Sequence, residues 1–157
     1  MSSETPFEDL TEEINDTIRG GEVSSEVLSE VARFLRREVD HYDWVGFYLA
    51  NERDKRLTLG PFDGEPTEHT EIDYGEGVCG QAAEKEEVFT VQNVEEESNY
   101  LSCSPKVKSE IVVPIFREGA FVGEIDIDSH EAGVFTEEDE DFLRKLAGEL
   151  AEWLGRG

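Results

Sequence analysis

The sequence predicts an α+β fold in which helices pack against an antiparallel sheet. Apolar residues recur every three or four positions near both ends of the chain, as they do along one face of a helix. Between these ends lie short runs of aromatic and β-branched residues separated by turn residues, a pattern typical of β-hairpins. Helical ends around a hairpin-rich middle favour a single layered domain. The 157 residues fit one domain, and we expect a helix and linker in residues 1–22 before the domain at 23–157.

Three segments predict helices. Residues 6–18 read as a short acidic helix, which Gly20 and Gly21 should end. Ser24 or Ser25 can cap a second helix running to about Asp40. Near the C-terminus, residues 136–139 (TEED) fit a capping box. The apolar stripes of the last two helices consist of Leu28, Val31, Ala32, Leu35 and Val39, and of Phe142, Leu143, Leu146, Leu150, Trp153 and Leu154.

The middle of the chain predicts strands and one short helix. Residues 44–49 and 57–59 indicate a hairpin, followed by a loop at 60–64. The glycine-rich segment 75–80 should open a short helix that ends near Lys85, before a strand at 88–91. An acidic loop at 95–103 precedes two strands, 110–116 and 121–128, joined by a turn at 118–119.

The charge of the chain is strongly negative. Asp and Glu number 39 against 14 Lys and Arg, which gives a net charge of −25. Such charge repels itself in dilute buffer, but molar salt shortens the screening length to about 3 Å. We therefore expect a halophilic protein from a salt-rich cytoplasm, with an acidic mesophilic protein as the alternative. Binding to nucleic acid is not expected, because its affinity comes from basic residues.

The N-terminus and the cysteines indicate a cytoplasmic protein. The first residues lack the apolar core of a signal peptide, and no apolar run is long enough to span a membrane. Two cysteines in such a chain favour free thiols over a structural disulfide. The cysteines are 24 residues apart, and His41, His69 and His130 stand at no ligand spacing, so no metal site is expected.

Cys103 is the candidate reactive thiol. It precedes Pro105, which keeps the segment out of a regular ladder, and it lies near Lys106 and Lys108. A nearby cation stabilises a thiolate and makes it more reactive. The alternative is an inert thiol. For Cys79, the first turn of the predicted helix would also favour a thiolate, whereas the alternative is a cysteine buried beneath the glycine turn.

Alternation along strand 121–128 places three carboxylates on one face. Glu124, Asp126 and Asp128 share this face, while Ile125 and Ile127 point to the other. Buried carboxylates without partners are costly, so these groups either face water or line a pocket for a cationic ligand. Glu110 opens the preceding strand and could reach the same pocket.

Five segments together resemble the free methionine-(R)-sulfoxide reductases, which are single-domain enzymes of the GAF fold. They are WVGFY (44–48), GPF (60–62), GEGVCG (75–80), SEIVVP (109–114) and GEIDIDS (123–129). The resemblance implies a central antiparallel sheet of about six strands. The N- and C-terminal helices would pack on one face, with loops and a short helix on the other.

The resemblance also implies roles for these residues. Cys103 would attack the sulfoxide sulfur of free methionine sulfoxide and become a sulfenic acid, which a second thiol would convert to a disulfide for reduction by thioredoxin. Glu110 and Asp128 would contact the sulfoxide oxygen, one of them as general acid. Asp126 would hold the substrate ammonium, and Trp44 and Tyr48 would form an aromatic wall. No cofactor is implied beyond the thiol reductant.

Two segments depart from the family pattern. The usual third cysteine, often the resolving thiol, is missing upstream of Cys79, where the chain reads PTEHT (66–70). The loop before Cys103 reads SNYLS (98–102) in place of the usual PGHIA. Three outcomes stay open: Cys79 resolves the sulfenic acid, an external thiol does so, or activity is lost. The rival hypothesis is a non-catalytic GAF module that binds a small ligand. In either case a homodimer through the terminal helices is expected.

Overall fold

A computed structural model describes residues 7–19, 25–100 and 105–154. Its helices are α1 (Phe7–Arg19), α2 (Ser25–Glu38), α3 (Gly77–Lys85) and α4 (Glu137–Leu154), with a short 3-10 helix at Val94–Glu96. Its strands are β1 (Trp44–Asn51), β2 (Arg56–Asp63), β3 (Glu71–Asp73), β4 (Phe89–Val91), β5 (Ser109–Arg117) and β6 (Ala120–Ser129). They form one antiparallel sheet in the order β3-β2-β1-β6-β5-β4. The predicted α+β architecture is confirmed.

The two faces of the sheet are covered differently. α1, α2 and α4 pack on one face, where Ile125 and Ile127 of β6 join the larger apolar core. On this side Phe7 of α1 stacks on Phe142 of α4 at a centroid distance of 4.6 Å. α3 covers the other face, where Val112 and Cys79 belong to a second cluster. The two sides of β6 therefore meet different surroundings.

The start of α4 is fixed by the predicted capping box. The Asp139 amide donates to Thr136 Oγ1 at 3.3 Å, and the Thr136 amide donates to Asp139 Oδ2 at 2.8 Å. Asp139 also bonds outward: its Oδ1 lies 2.8 Å from His41 Nε2 and accepts from the Tyr42 hydroxyl at 2.7 Å. Burial alone would raise the pKa of Asp139, but hydrogen bonds from His41, the Thr136 amide and Tyr42 outweigh burial and lower it. The cap therefore also ties α4 to the chain before β1.

The expected loop at 60–64 is wrong, because β2 continues through Asp63. Its later residues pair with β1, with Phe62 opposite Gly46 and Asp63 opposite Val45. A register shift between Gly46 and Tyr48 accommodates the extra residue in β2. Pro61 stands at this bulge, where a missing amide donor costs least. The Gly-Pro pair therefore marks a bulge inside a strand.

Other differences from the expected elements are small. β3 has only three residues and was not expected, and the 3-10 helix Val94–Glu96 overlaps the start of the acidic loop expected at 95–103. The predicted breaker at Gly20 and Gly21 and the predicted cap at Ser24 lie outside the described residues. No helix in the described ranges is long and apolar enough to cross a membrane.

Candidate active site

Four acidic side chains form a buried row on the face of the sheet that α3 covers. Glu124 is 0% exposed, Asp126 and Asp128 are each 1% exposed, and Glu110 is 5% exposed. Glu110 of β5 stands directly opposite Asp128 of β6. We call these four residues the carboxylate row. The interpretation that this face meets water is wrong; strand alternation gives the face correctly, but α3 and its flanking segments cover it.

Trp44 and Tyr48 of β1 lie on the same face as the row. In register, Trp44 stands opposite Asp128 and Tyr48 opposite Glu124. Gly46 lies between them, and a Cβ there would come 2.4 Å from the Trp44 ring, so glycine lets the indole lie over the strand. The indole nitrogen donates to the carbonyl of Glu65 at 2.8 Å, which fixes the ring. The Tyr48 hydroxyl donates to the carbonyl of His69 at 2.8 Å.

Cys79 faces the row from the first turn of α3. Its side chain is buried, and its Sγ donates to Glu110 Oε2 at 3.8 Å. Burial, followed by the charges of Asp126, Glu124 and Glu110, raises the pKa of Cys79 well above its usual value. The expectation that the helix terminus favours a thiolate here is therefore wrong, because burial and three carboxylates oppose it. The alternative of a cysteine buried beneath the glycine turn is correct.

The carboxylate row is short of hydrogen-bond donors. Among the described residues, no donor reaches either carboxylate oxygen of Glu124 or Asp128, or Oδ1 of Asp126. Burial raises the pKa of all three groups. The charge of Asp126 raises the pKa of Asp128 further, and Glu110 offsets only part of this rise. A cation or a proton bound here would relieve the cost of desolvation.

Two cavities border the carboxylate row. The smaller, of about 10 Å³, is lined by Tyr48, His69, Cys79, Glu110 and Asp126 among others. The larger, of about 190 Å³, is lined by residues that include Trp44, Glu65, Lys106, Asp128 and His130. The predicted substrate-binding residues thus divide between two openings along one row. One group of potential metal ligands occurs in the described ranges, namely Cys79, Glu110 and Asp126.

The predicted attacking thiol has no described position. Cys103 belongs to residues 101–104, which lie outside the described ranges. Lys106, expected to make its surroundings electropositive, is exposed and pairs with Glu65 at 3.0 Å. This surface ion pair therefore partly neutralises the charge of Lys106.

Asn99 holds the chain beside the start of α3, and no motif in the sequence pointed to it. Its Oδ1 accepts from the Gly77 amide at 2.9 Å, and its Nδ2 donates to the Gly75 carbonyl at 2.7 Å. The Gln81 side chain donates to the Asn99 carbonyl at 3.0 Å. Asn99 thus caps a helix that begins 22 residues earlier, a contact that local patterns cannot reveal. His69 was also missed as a residue lining the smaller cavity.

Comparisons with known proteins agree with this architecture. A sequence profile of the GAF domain matches residues 22–154. GAF domain-containing protein A of Dictyostelium discoideum is 35% identical over 92% of this chain and 90% of its own length. Free methionine-R-sulfoxide reductase of Escherichia coli is 33% identical over 94% of this chain and 88% of its own.

A solved structure gives the same result in three dimensions. The free methionine-R-sulfoxide reductase of Neisseria meningitidis, solved with its substrate, matches with a TM-score of 0.90. It is 33% identical to this chain, and the match covers 95% of this chain and 88% of the Neisseria chain. The chain therefore belongs to the GAF-domain family of free methionine-R-sulfoxide reductases.

Proposed function

We propose that this protein reduces free L-methionine (R)-sulfoxide to methionine through a cysteine sulfenic acid and disulfide cycle. The observation that carries the proposal is the carboxylate row, buried and short of donors beside the aromatic residues Trp44 and Tyr48. Relatives named for this activity support it across nearly the whole chain.

The row suits a small zwitterion with a polar sulfoxide group. A substrate ammonium would supply the donor that Asp126 Oδ1 lacks, and its positive charge would offset the desolvation of the carboxylate. Trp44 and Tyr48 offer apolar ring surface beside the same carboxylates, fitting the methyl end of the substrate. The cavity of about 190 Å³ is below the roughly 300–1,000 Å³ of pockets for drug-sized ligands, which favours an amino-acid-sized molecule.

In the proposed reaction, the Cys103 thiolate attacks the sulfoxide sulfur. The oxygen passes from the substrate sulfur to Cys103: its bond to the substrate sulfur breaks, a bond to Cys103 Sγ forms, and methionine leaves with the electron pair of the transient S–S bond. Cys103 is thereby oxidised by two electrons to a sulfenic acid. The transferred oxygen takes up a proton, and Glu110 and Asp128 are the proposed carboxyls that contact it. Burial raises the pKa of Asp128, so this carboxyl holds a proton at higher pH than an ordinary aspartate.

A second thiol must then return Cys103 to the reduced state. It would condense with the sulfenic acid, release water and form a disulfide, which a dithiol partner would reduce. Cys79 is the proposed resolving thiol within the chain, since it already borders Glu110. Its raised pKa limits the thiolate fraction, so an external thiol remains the competing proposal. We further propose a thioredoxin-type reductant, no resident cofactor, a cytoplasmic location and a homodimer.

The test is a turnover assay in molar KCl with dithiothreitol and the two separated sulfoxide diastereomers. The expected result is consumption of the R form alone. Dithiothreitol needs no resolving cysteine, so an absence of turnover with both diastereomers would reject the reductase function and favour a ligand-binding module.

A matched pair of cysteine variants then assigns the two thiols. Cys103→Ser should abolish turnover with every reductant, and full activity in this variant would reject the attacking role. Cys79→Ser should retain turnover with a monothiol and stall with thioredoxin. Unchanged thioredoxin-dependent turnover in Cys79→Ser would assign resolution to an external thiol.

A further inference from the structure

The geometry points to a binding site for one divalent cation of zinc type, formed by Cys79, Glu110 and Asp126. One ligand atom from each residue, the sulfur and two carboxylate oxygens, lies within 4.8 Å of the other two. We call these residues the thiol–carboxylate cluster. The proposed reduction requires no metal but uses the same three residues, so a bound Zn²⁺ would exclude the substrate and occupy the proposed resolving thiol.

The spacing matches tetrahedral zinc. Zinc binds thiolate sulfur at about 2.3 Å and carboxylate oxygen at about 2.0–2.2 Å, so a tetrahedral S···O edge is about 3.6 Å. The Cys79 Sγ to Glu110 Oε2 distance is 3.8 Å. This pair is thus nearly at the separation it would have on a shared ion. The ligand atom of Asp126 lies within 4.8 Å of the other two, so a side-chain adjustment would let the three surround one ion.

Rigid elements hold the three ligands. Cys79 belongs to α3, while Glu110 and Asp126 belong to the neighbouring strands β5 and β6. α3 is packed closely at Gly80, where a Cβ would come 2.5 Å from the Asp73 carbonyl oxygen. Such supports favour metal binding, because little ordering is required when the ion arrives.

An unsatisfied buried atom in the cluster leaves a place for a positive group, for which Zn²⁺ and the substrate ammonium would compete. Asp126 is 1% exposed, and its Oδ1 has no hydrogen-bond partner among the described residues. Asp126, Cys79 and Glu110 all line the cavity of about 10 Å³, a volume that holds one water-sized occupant. A single ion fits this volume. The buried carboxylates of Glu124 and Asp128 add negative potential beside it.

The ligand set selects the class of metal. A thiolate favours zinc and cadmium over magnesium and calcium, which prefer oxygen ligands alone. On binding, Cys79 loses its thiol proton to solvent and forms a metal–sulfur bond, and no electron is transferred. Any proton held by the two carboxyls is released as well. Two positive charges then face three ligand charges, which leaves one net negative charge where two ionised carboxylates and a neutral thiol carry two.

Direct metal binding tests the inference without any need for turnover, so its failure and a failure of the proposed function are distinguishable. Reduced, chelator-treated protein is titrated with Zn²⁺ against a chromophoric competitor, in molar KCl with excess Mg²⁺ to suppress binding to surface carboxylates. The expected result is one tightly bound Zn²⁺ per chain with proton release. Cys79→Ser and Asp126→Asn should each weaken binding at least tenfold. The matched control Asp141→Asn, at a side chain exposed on the surface, should not weaken it.

Cobalt gives a readout that does not depend on replacing a ligand. In Cys103→Ser the sole remaining thiol is Cys79, so Co²⁺ should produce a thiolate-to-metal charge-transfer band in that variant. Absence of this band, or Zn²⁺ binding no stronger than the Mg²⁺ background, would overturn the inference. So would stoichiometric binding that survives Cys79→Ser.

Discussion

Replacing Asp128 with asparagine should stabilise the fold while removing activity. Both carboxylate oxygens of Asp128 are buried without a hydrogen-bond donor among the described residues. A buried neutral polar group in this state costs about 1–3 kcal/mol and a charged group costs more, so the substitution removes the part of the cost that is due to charge. The asparagine side chain has nearly the same shape as the carboxylate and no charge, so we expect a gain of about 1–3 kcal/mol at neutral pH. For a domain of this size the gain corresponds to a Tm increase of about 2–12 °C.

The gain should depend on pH in a defined direction. Burial raises the pKa of Asp128 in the folded state, whereas the unfolded chain keeps a value of about 3.9. Below about pH 4 the folded and the unfolded states both hold the proton, so ionisation of Asp128 does not lower the free energy of unfolding. As the pH rises through the folded-state pKa, the unfolded state is favoured because it releases the proton more readily. The advantage of Asp128→Asn should therefore grow from about pH 4 upward and disappear below it.

Urea unfolding across this pH range, in molar KCl, measures the difference between the two proteins. The matched control is Asp141→Asn, the same chemical change at a side chain that is 78% exposed, where we expect a change within about 0.5 kcal/mol. An Asp128→Asn variant that is less stable at neutral pH would refute the reasoning. A gain that stays constant down to about pH 4 would show that the cost has a different origin from desolvated charge.

Other features of the fold and the site can be tested in the same way. Asp139→Asn should lower the free energy of unfolding by about 1.5–3 kcal/mol at neutral pH, since hydrogen bonds to a charged group are lost. The pKa of Asp139 is lowered in the folded state, so urea unfolding should show this loss shrinking below about pH 4. An equal loss at neutral pH and below about pH 4 would contradict this reasoning. Gly46→Ala should cost about 1–3 kcal/mol and raise KM by displacing the Trp44 ring, and an unchanged Tm would contradict the close contact. Asn99→Ala should speed cleavage at residues 95–97 by a glutamate-specific protease, whereas an unchanged rate would argue against its anchoring role. Molar KCl should raise Tm by screening the net charge of −25, and a Tm independent of salt would remove the case for halophily.

Features that depend on local periodicity were predictable from the sequence. The capping box at Thr136 and Asp139 formed as expected, because its hydrogen bonds join residues three positions apart. The shared face of Asp126 and Asp128 followed from strand alternation alone. Both predictions need only the geometry of one element.

Features that depend on distant packing were not predictable in the same way. Whether Asp126 meets water depends on α3, which is contributed by a segment more than 40 residues away. The environment of Cys79 was misjudged for the same reason, since the carboxylates that raise its pKa come from β5 and β6. Gly60 and Pro61 resembled a loop because a bulge and a turn favour the same residues. The assignment of Cys103 stays a prediction from sequence.

The alternation along β6 also bears on how the chain selects its strand pairing. A shift of β6 by one residue would exchange its two faces. Ile125 and Ile127 would then leave the helical core, and Glu124, Asp126 and Asp128 would enter it against α2 and α4. That arrangement would bury three charges among aliphatic side chains and is far less stable than the native one. The same carboxylates that lower the stability of the native state therefore penalise misaligned sheets more strongly, and they help to give the central strand a single register.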